Sequence, residues 1–232
     1  MTYSVTLLSG GMDSATLAYL LHSQGRQQTF VSVHYGQRHS VELEYAERLA
    51  AKLGGEHILI DMAPLAKALS GSALTDPSIE VPDGHYAEAS MSDTVVPNRN
   101  MIMLAAAGGI AVAQNASCVS TAVHAGDHFV YPDCRPEFVK AMNVALRVAT
   151  EGFSKEGFHV FAPFMDIGKH DIAELGHELG VKYEETWSCY RGGTVHCGRC
   201  GTCVERAEAF TLSGVPDPTI YLDPDYARSV LK

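Results

Sequence analysis

The sequence has few basic side chains and no long uninterrupted apolar run. Its 232 residues include 17 Lys and Arg against 27 Asp and Glu, which gives a formal net charge of −10 at pH 7. A surface that binds nucleic acid needs a basic excess, so this balance argues against nucleic acid as a partner. No apolar run reaches the roughly 18 residues of a membrane span, so we expect no membrane partner.

The sequence also lacks a secretion leader, internal repeats and low-complexity segments. Its N-terminus has no basic region and no cleavage-site pattern, so we expect a cytoplasmic protein. Six cysteines occur, and in the cytoplasm they indicate metal binding or chemistry rather than disulfides. With 46 % apolar and 19 % charged residues, the chain can form one α/β domain with a small appendage.

A glycine-containing loop between the first predicted strand and the first predicted helix is the most informative segment. The string S-G-G-M-D-S, residues 9–14, follows an apolar run at 3–8 and precedes a helical pattern at 15–24. This arrangement directs free backbone N–H groups at an anion, and glycine lets a phosphate come close. A P-loop and a dinucleotide fingerprint are excluded, because no Lys and no third Gly follow. Asp13 beside phosphates implies a bridging Mg²⁺.

The string resembles the PP-loop of ATP pyrophosphatases, which split ATP between the α and β phosphates to adenylate a substrate oxygen. An ordinary glycine turn is the alternative, and the complete string favours phosphate binding. The residues expected to bind the nucleotide are Leu8, Ser9, Gly10, Gly11, Met12, Asp13, Ser14, Ala15, Thr16, Leu17 and Ala18.

The order of the remaining elements predicts a parallel sheet. The further predicted strands are at 29–34, 56–60, 117–123 and 159–161, and the helices between and after them are at 41–53, 101–114, 137–149 and 170–179. Strands and helices that alternate at this spacing form right-handed parallel crossovers. We predict a Rossmann-like α/β fold over residues 1–185, with a parallel five-stranded sheet and helices on both faces, as in adenine nucleotide alpha hydrolases.

Four cysteines near the C-terminus predict a metal site. Cys197, Cys200 and Cys203 are separated by two-residue gaps, and Cys189 precedes them across a turn at Gly192-Gly193. Four thiolates suit tetrahedral Zn²⁺ and leave no open position, so the metal is expected to be structural. Similar spacing also serves iron–sulfur clusters, but nothing else in the sequence indicates a redox task.

We predict that residues 186–232 form a small zinc-binding and helical unit packed on the main domain. His196 is a spare ligand candidate. Few apolar residues follow Trp187, so metal binding should drive the ordering of this segment. Cys118 lies in a predicted strand and is expected to be a small core residue.

Polar side chains follow the predicted strands, at the sheet edge where ligands bind in open α/β folds. Tyr131, Asp133 and Arg135 lie in a polar segment after the fourth strand. Asp133 is alternatively a cap of the helix that Pro136 begins. Lys169 at the head of a helix opposes the helix dipole, which favours a phosphate partner.

The long connection at 71–97 predicts either a mobile lid or binding loop, or a solvated surface excursion. Arg38 lies in the loop after the second strand. Arg99 ends the long connection and could hold an anion, the alternative being a capped surface arginine. The Ala- and Met-rich helix at 101–114 is expected to be buried on nearly every side.

Together these strings resemble the 7-cyano-7-deazaguanine synthases, the nitrile-forming enzymes of queuosine biosynthesis. The matching strings span the chain, at 9–14 (S-G-G-M-D-S), 35–39 (Y-G-Q-R-H), 96–97 with 99–100 (V-P and R-N), 131–135 (Y-P-D-C-R) and 186–190 (T-W-S-C-Y) with the cysteine cluster. The chain departs from the family pattern at His34, Asn98 and Phe129-Val130, where Asp, Gly and Ser-Gly are usual.

The resemblance implies that 7-carboxy-7-deazaguanine and free ammonia are converted to the nitrile with ATP, Mg²⁺ and Zn²⁺, in a homodimer. The candidate catalytic residues, by loop position, are Asp13, Arg38, Arg99 and Lys169. The candidate substrate-binding residues are Tyr131, Asp133 and Arg135, and the zinc ligands are Cys189, Cys197, Cys200 and Cys203. Asp133 would read the guanine-like N–H edge, and the cations would stabilise charge on phosphates or carboxylate.

Two alternative functions stay open. One is another PP-loop enzyme, which acts on a related deazapurine and stops at the amide, or modifies tRNA. The acidity of the chain disfavours tRNA. The other is a zinc-ribbon interaction module on a degenerate nucleotide fold, and the intact glycine loop argues against it.

Overall fold

A parallel sheet is the centre of the computed structural model, which describes residues 2–38, 40–66, 68, 71–85 and 89–230. Its strands are β1 (Tyr3–Leu7), β2 (Gln27–His34), β3 (Glu56–Asp61), β4 (Cys118–Ser120) and β5 (His159–Phe161). They pair in the order β3-β2-β1-β4-β5, and every pairing is parallel. The predicted fold class is confirmed. β4 is shorter than predicted, because its register with β5 ends at Ser120 and residues 121–123 line a cavity, although the Thr121 N–H still donates to the Phe161 carbonyl at 3.0 Å.

The helices lie close to the predicted positions. They are α1 (Met12–Ser23), α2 (Val41–Leu53), α3 (Ala63–Ala66), α4 (Arg99–Ala113), α5 (Pro136–Ala149), α6 (Lys169–Glu178), α7 (Gly201–Ser213) and α8 (Pro224–Ser229). Helices cover both faces of the sheet, as successive residues of β2 show. Phe30 packs into the core beneath α1, α2 and α7, whereas Val31 and Val33 pack into the core beneath α4 and α5.

Only one face of α4 is buried, which corrects the expectation that this helix is enclosed on nearly every side. Leu104, Ala107 and Ala111 are buried against the sheet and α5, whereas Met101 is 43 % exposed. The high apolar content of α4 comes largely from small residues, and leaving a small apolar side chain in water costs little free energy. Composition alone therefore overstated the burial of α4.

One segment, Met91–Ala113, is long and apolar enough to cross a membrane by length and composition, with 23 residues and a mean hydropathy of 1.2. The sequence expectation had excluded any such segment. The segment is interrupted, because a 3₁₀ turn at Ala89–Thr94 ends before α4 begins at Arg99. α4 alone has 15 residues, short of the roughly 20 that a span needs. A core helix of a soluble protein passes the same test, so this segment gives a membrane span only weak support.

The first described part of the long connection, residues 71–85, packs against the C-terminal unit. Ala73 and Val81 are buried in one apolar cluster with Trp187 and the cysteines. Asp83 forms an antiparallel bridge with Cys200. A solvated excursion is therefore the wrong description of these residues.

The C-terminal unit is joined directly to the glycine loop. The Trp187 N–H donates to the Gly10 carbonyl at 2.9 Å. Phe210 of α7 is buried in the same core cluster as Met12 of α1. A separate unit at 186–232 stays a prediction, and its contacts with the sheet domain are extensive.

Candidate active site

A cavity of about 230 Å³ lies at the carboxyl ends of β1, β2 and β4. β1 and β4 are neighbours in the sheet although β2 and β3 lie between them in sequence. Ligands bind in open α/β sheets at this reversal of strand order. The cavity is lined by the glycine loop and by acidic, basic and aromatic side chains, among them Ser9, Asp13, Tyr35, Glu42, Arg99, Asp127, Tyr131, Lys169, Trp187 and Tyr190.

The glycine loop has the geometry of an anion site. Gly10 has a φ of +82°, and the Glu42 carbonyl occupies the place where a Cβ would stand, so no larger residue fits. The Ser9 and Ser14 hydroxyls lie 3.0 Å apart. α1 begins after Gly11 without a side-chain cap, which leaves its first backbone N–H groups to bind a ligand at the positive end of the helix dipole.

A lysine held between two carboxylates stands beside this loop. Lys169 Nζ lies 3.2 Å from Asp13 Oδ2 and 2.6 Å from Glu205 Oε2. Burial alone would lower the pKa of Lys169, but the charges of Asp13 and Glu205 outweigh it and raise that pKa above its ordinary value. The site therefore contains a permanent ammonium within reach of a bound phosphate.

One oxygen of Asp13 has no hydrogen-bond partner among the residues that the structure describes. This oxygen, Oδ1, is buried, while Oδ2 faces Lys169 and lies 3.9 Å from His124 Nε2. Asp127 lines the same cavity and presents a further carboxylate. Carboxylate oxygens together with phosphate oxygens are the ligands that Mg²⁺ prefers, so these residues fit a magnesium–nucleotide complex.

Arg99 lies within a group of tyrosines on the other side of the cavity. Its guanidinium carbon is 5.3 Å from the ring centre of Tyr35 and 5.9 Å from that of Tyr131. Arg99 Nη1 donates to the Tyr35 hydroxyl at 3.3 Å, and the hydroxyls of Tyr131 and Tyr190 lie 3.4 Å apart. Burial raises the pKa of Tyr35 to about 12, so its hydroxyl stays protonated. This arrangement suits a flat ligand that carries an anionic group.

Glu42 is a cavity residue to which sequence reasoning gave no role in the site. Its Oε1 accepts a hydrogen bond from Gln37 Nε2 at 3.1 Å. Burial raises the pKa of Glu42 to about 7, although the positive charge of Arg99 opposes the shift. The sequence signal was its position in the first turn of α2, after the loop that follows β2.

Cys134 and Asn100 are two further residues that only the structure places at the cavity. Asn100 Nδ2 donates to Cys134 Sγ at 3.0 Å. Burial raises the pKa of the Cys134 thiol above its ordinary value, so this sulfur is a neutral thiol and a poor nucleophile at pH 7.

Three of the candidate catalytic and substrate-binding residues do not line the cavity, and neither do Gly10, Ala15, Thr16, Leu17 and Ala18 of the predicted nucleotide-binding set. Arg38 Nη1 donates to the Ile79 carbonyl at 2.9 Å, and Arg135 Nε donates to the His128 carbonyl at 2.9 Å. Asp133 Oδ2 accepts the backbone N–H of Asn100 at 2.8 Å. The roles of Arg38, Asp133 and Arg135 in the chemistry stay predictions.

The alternative structural role of Asp133 is corrected by these contacts. Arg135, not Asp133, is the N-cap residue of α5. Asp133 instead satisfies a backbone N–H in the first turn of α4. His39, the last residue of the Y-G-Q-R-H string, lies outside the described residues.

The four C-terminal cysteines form one compact cluster. All four are buried, and their sulfurs lie within 4.8 Å of one another. Cys197 Sγ and Cys203 Sγ are 3.8 Å apart, which is about the edge of a tetrahedron with Zn–S bonds of about 2.3 Å. Hydrogen bonds with the neighbouring thiols of Cys189, Cys200 and Cys203 lower the pKa of Cys197. This donor set fits a single structural metal ion.

The turn between Cys189 and Cys197 contains two glycines in the left-handed region, with φ values of +67° at Gly192 and +86° at Gly193. His196 is not part of the cluster. Its ring packs on Trp187 with 4.3 Å between centroids, and its Nε2 accepts the Ser188 N–H at 3.2 Å.

The chain is similar to known proteins over nearly its whole length. The family model described as "Queuosine biosynthesis protein QueC" matches residues 3–214. A 7-cyano-7-deazaguanine synthase from Rhizobium johnstonii is 52 % identical over 228 residues, covering 98 % of this chain and 95 % of the relative. Another from Ruegeria sp. (strain TM1040) is 52 % identical over 223 residues, covering 96 % and 94 %.

Among solved structures, NMN synthetase from Francisella tularensis superposes with a TM-score of 0.50 at 20 % identity. The match covers 97 % of this chain and 84 % of the synthetase. At this identity the likeness shows a shared fold only.

Proposed function

This chain belongs to the queuosine biosynthesis protein QueC family, and we propose that it converts 7-carboxy-7-deazaguanine and ammonia to 7-cyano-7-deazaguanine at the expense of ATP. The proposal rests on one cavity that is lined by two groups of residues. The glycine loop, Asp13 and Lys169 suit a nucleotide, and Arg99 with its tyrosines suits a flat anionic ligand. The relatives are named 7-cyano-7-deazaguanine synthases, which supports the nitrile as the product.

The reaction must remove both carboxylate oxygens, and neither leaves as hydroxide at neutral pH. Attack of one oxygen on the α-phosphate of ATP forms an acyl adenylate and releases pyrophosphate. Ammonia then displaces AMP, which carries that oxygen away, and the product is the amide. A second ATP adenylates the amide oxygen, and loss of AMP and a proton leaves the nitrile. Each turnover therefore consumes two ATP and forms two AMP and two pyrophosphates.

We place the β and γ phosphates on the loop at 9–14, against the first turn of α1. The Ser9 and Ser14 hydroxyls and the backbone N–H groups would bind the phosphate oxygens. Asp13 would hold Mg²⁺, which neutralises phosphate charge when it is bound. Lys169 would stabilise the negative charge that gathers on departing pyrophosphate. The 3.2 Å distance between Lys169 Nζ and Asp13 Oδ2 supports this division of roles.

We place the deazapurine in the half of the cavity that Arg99 and the tyrosines form. Tyr35, Tyr131 and Tyr190 would pack on the flat ring system, and their buried hydroxyls would orient it. Arg99 would pair with the substrate carboxylate until adenylation removes its charge. Ammonia would come from solution, since the sequence shows no recognisable glutaminase unit.

The cysteine cluster would hold Zn²⁺ as a closed structural site, because four thiolates leave no position for substrate. A homodimer in the cytoplasm is also proposed. The exposed side chains of Val144 and Val148 on α5, which are 54 % and 70 % exposed, provide apolar surface for a second copy. Light scattering of the purified protein tests the dimer.

The test is to incubate the protein with ATP, Mg²⁺, ammonia and 7-carboxy-7-deazaguanine. Mass spectrometry of the purine should show the nitrile, and phosphorus NMR should show AMP and pyrophosphate. ADP and phosphate as the only nucleotide products would refute adenylation. An amide that accumulates without nitrile would assign the chain to an enzyme that stops after the first ATP.

A further inference from the structure

We propose that Glu205, on the helix that carries a cysteine of the metal cluster, is a positioning residue that holds Lys169 toward the nucleotide phosphates. The inference rests on the proposed function and extends it, because it assigns part of the ATP site to the C-terminal unit. Glu205 does not line the cavity, whereas Lys169 and Asp13 do. Its direct contact with a cavity residue is the hydrogen bond with Lys169, so we infer that Glu205 acts on the nucleotide chiefly through this lysine.

The contact between the two side chains is short and buried. Glu205 Oε2 accepts a hydrogen bond from Lys169 Nζ at 2.6 Å, and the two side chains are 8 % and 13 % exposed. A lysine side chain has four rotatable bonds, and holding it in one rotamer before the ligand arrives lowers the entropy cost of binding. A buried charge-assisted hydrogen bond of this length supplies that constraint.

Asp13 cannot supply the same constraint during the reaction. Its Oδ2 lies farther from Lys169, at 3.2 Å, and its Oδ1 is the unpartnered atom that suits a cation. A magnesium–nucleotide complex would therefore bind to the Asp13 carboxylate. The contact with Glu205 lies behind the lysine, away from the cavity, and remains in place when the phosphates bind.

The helix that supplies Glu205 is fixed on both sides of that residue. Cys203 of the metal cluster lies two positions earlier in α7. Arg206, the next residue, is fully buried and donates to the Tyr183 carbonyl at 2.7 Å and to Thr186 Oγ1 at 2.9 Å. The position of the carboxylate is thus determined by the packing of α7, which is what positioning requires.

A double-mutant cycle tests the proposal, with Glu205→Gln, Lys169→Met and the double variant. The matched control is Glu208→Gln, because Glu208 lies on the same helix and contacts His85 at 3.2 Å. The ligand is magnesium α,β-methylene-ATP, which cannot be split, and its dissociation constant is measured by calorimetry. Metal content and thermal midpoint of each variant are recorded, and Glu205→Asp replaces Glu205→Gln if the amide variant does not fold.

We expect Glu205→Gln to weaken nucleotide binding about tenfold, the loss typical of one charge-assisted hydrogen bond. The KM for 7-carboxy-7-deazaguanine should stay unchanged, and Glu208→Gln should match the parent. The double variant should bind as weakly as Lys169→Met and no more weakly, because both changes remove one interaction. The Glu205→Asp variant keeps the charge but is one methylene shorter, so its loss should be smaller.

Parent-like nucleotide binding by Glu205→Gln would overturn the inference. So would a double variant weaker than Lys169→Met by the full Glu205→Gln factor, since additive losses would show that Glu205 acts independently of the lysine. A parent protein that binds the nucleotide but releases no pyrophosphate with the deazapurine would refute the proposed function instead. Binding and turnover thus separate the two failures.

Discussion

Alanine substitutions at Gly108 and Gly109 should differ in their effect on the stability of the protein, although the two glycines are neighbours in α4. Glycine in a helix interior is less favourable than alanine by about 1 kcal/mol, because the unfolded chain loses more freedom on folding. Both substitutions therefore gain about 1 kcal/mol of stability from this difference between glycine and alanine. The surroundings of the added methyl group decide the net result.

The new Cβ meets open space at one position and the core at the other. At Gly109 no heavy atom of the described residues, apart from the adjoining residues and nearby backbone of its own helix, lies within 4 Å of the position that the methyl group would take, so Gly109→Ala should stabilise the protein by about 1 kcal/mol. At Gly108 the methyl group would lie 2.7 Å from Leu146 Cδ2 and 3.2 Å from Cδ1. Leu146 on α5 is buried, and overpacking a core costs about 1–3 kcal/mol. Gly108→Ala should therefore range from neutral to about 2 kcal/mol less stable.

The assay is urea unfolding followed by circular dichroism, with the two variants and the parent under the same conditions. Their midpoints should be ordered Gly109→Ala above parent, and parent at or above Gly108→Ala, with equal m-values. A Gly108→Ala variant as stable as Gly109→Ala would refute the close approach of α4 and α5. Gly109→Ala should also keep parental kinetics, because it lies far along the helix from Arg99.

The remaining predictions concern the metal, the magnesium ligand and a buried carboxyl. Cys200→Ser should lose zinc while Cys118→Ser retains it by plasma mass spectrometry; full zinc occupancy in Cys200→Ser, or iron in the parent, would contradict the assignment. Asp13→Ala should abolish pyrophosphate release with an unchanged thermal midpoint, and near-parental turnover at low Mg²⁺ would count against it. The pKa of Glu42 rises from 4.5 to about 7 on folding because of burial, so the folded state binds this proton more tightly. Its contribution to the unfolding free energy, at most about 3 kcal/mol, is complete below pH 4.5 and lost as the pH rises to 7. Glu42→Gln should flatten that slope in urea titrations at pH 5 and pH 8, and an unchanged slope would refute it.

The sheet could be predicted from the sequence because its signals are local. The run T-F-V-S-V-H at 29–34 is rich in β-branched and aromatic residues, which is typical of a strand. The glycine pair at 54–55 and Pro136 mark helix ends by their own backbone limits. The error at β4 has the same origin. Residues 121–123 continue the strand-like pattern, and only the three-dimensional structure shows that they line a cavity beyond the end of β4.

Long-range partners could not be predicted. Asp133 stands just before α5 in sequence, where a capping role is the ordinary expectation. Its carboxylate instead accepts the N–H of Asn100, 33 residues earlier. Glu205 is a similar case, since it follows a cysteine motif by two residues and carries no signal that connects it with Lys169. The spacing of residues along the chain predicts which side chains share one face of a helix or strand. It gives no distance between residues on different helices or strands.

Lys169 shows where a physical argument from sequence stops. A lysine in the first turn of α6 opposes the helix dipole, so the sequence predicted an anionic partner. The structure places two carboxylates against its ammonium, Asp13 at 3.2 Å and Glu205 at 2.6 Å. A carboxylate and a phosphate both carry the negative charge that pairs with the Lys169 ammonium. The sign of the partner's charge could therefore be predicted from the sequence, and the identity of the partner could not. The location of Lys169 on the cavity wall is what makes phosphate a further partner, because the ammonium borders the space in which we place the nucleotide, whereas the carboxylate of Glu205 stands outside it.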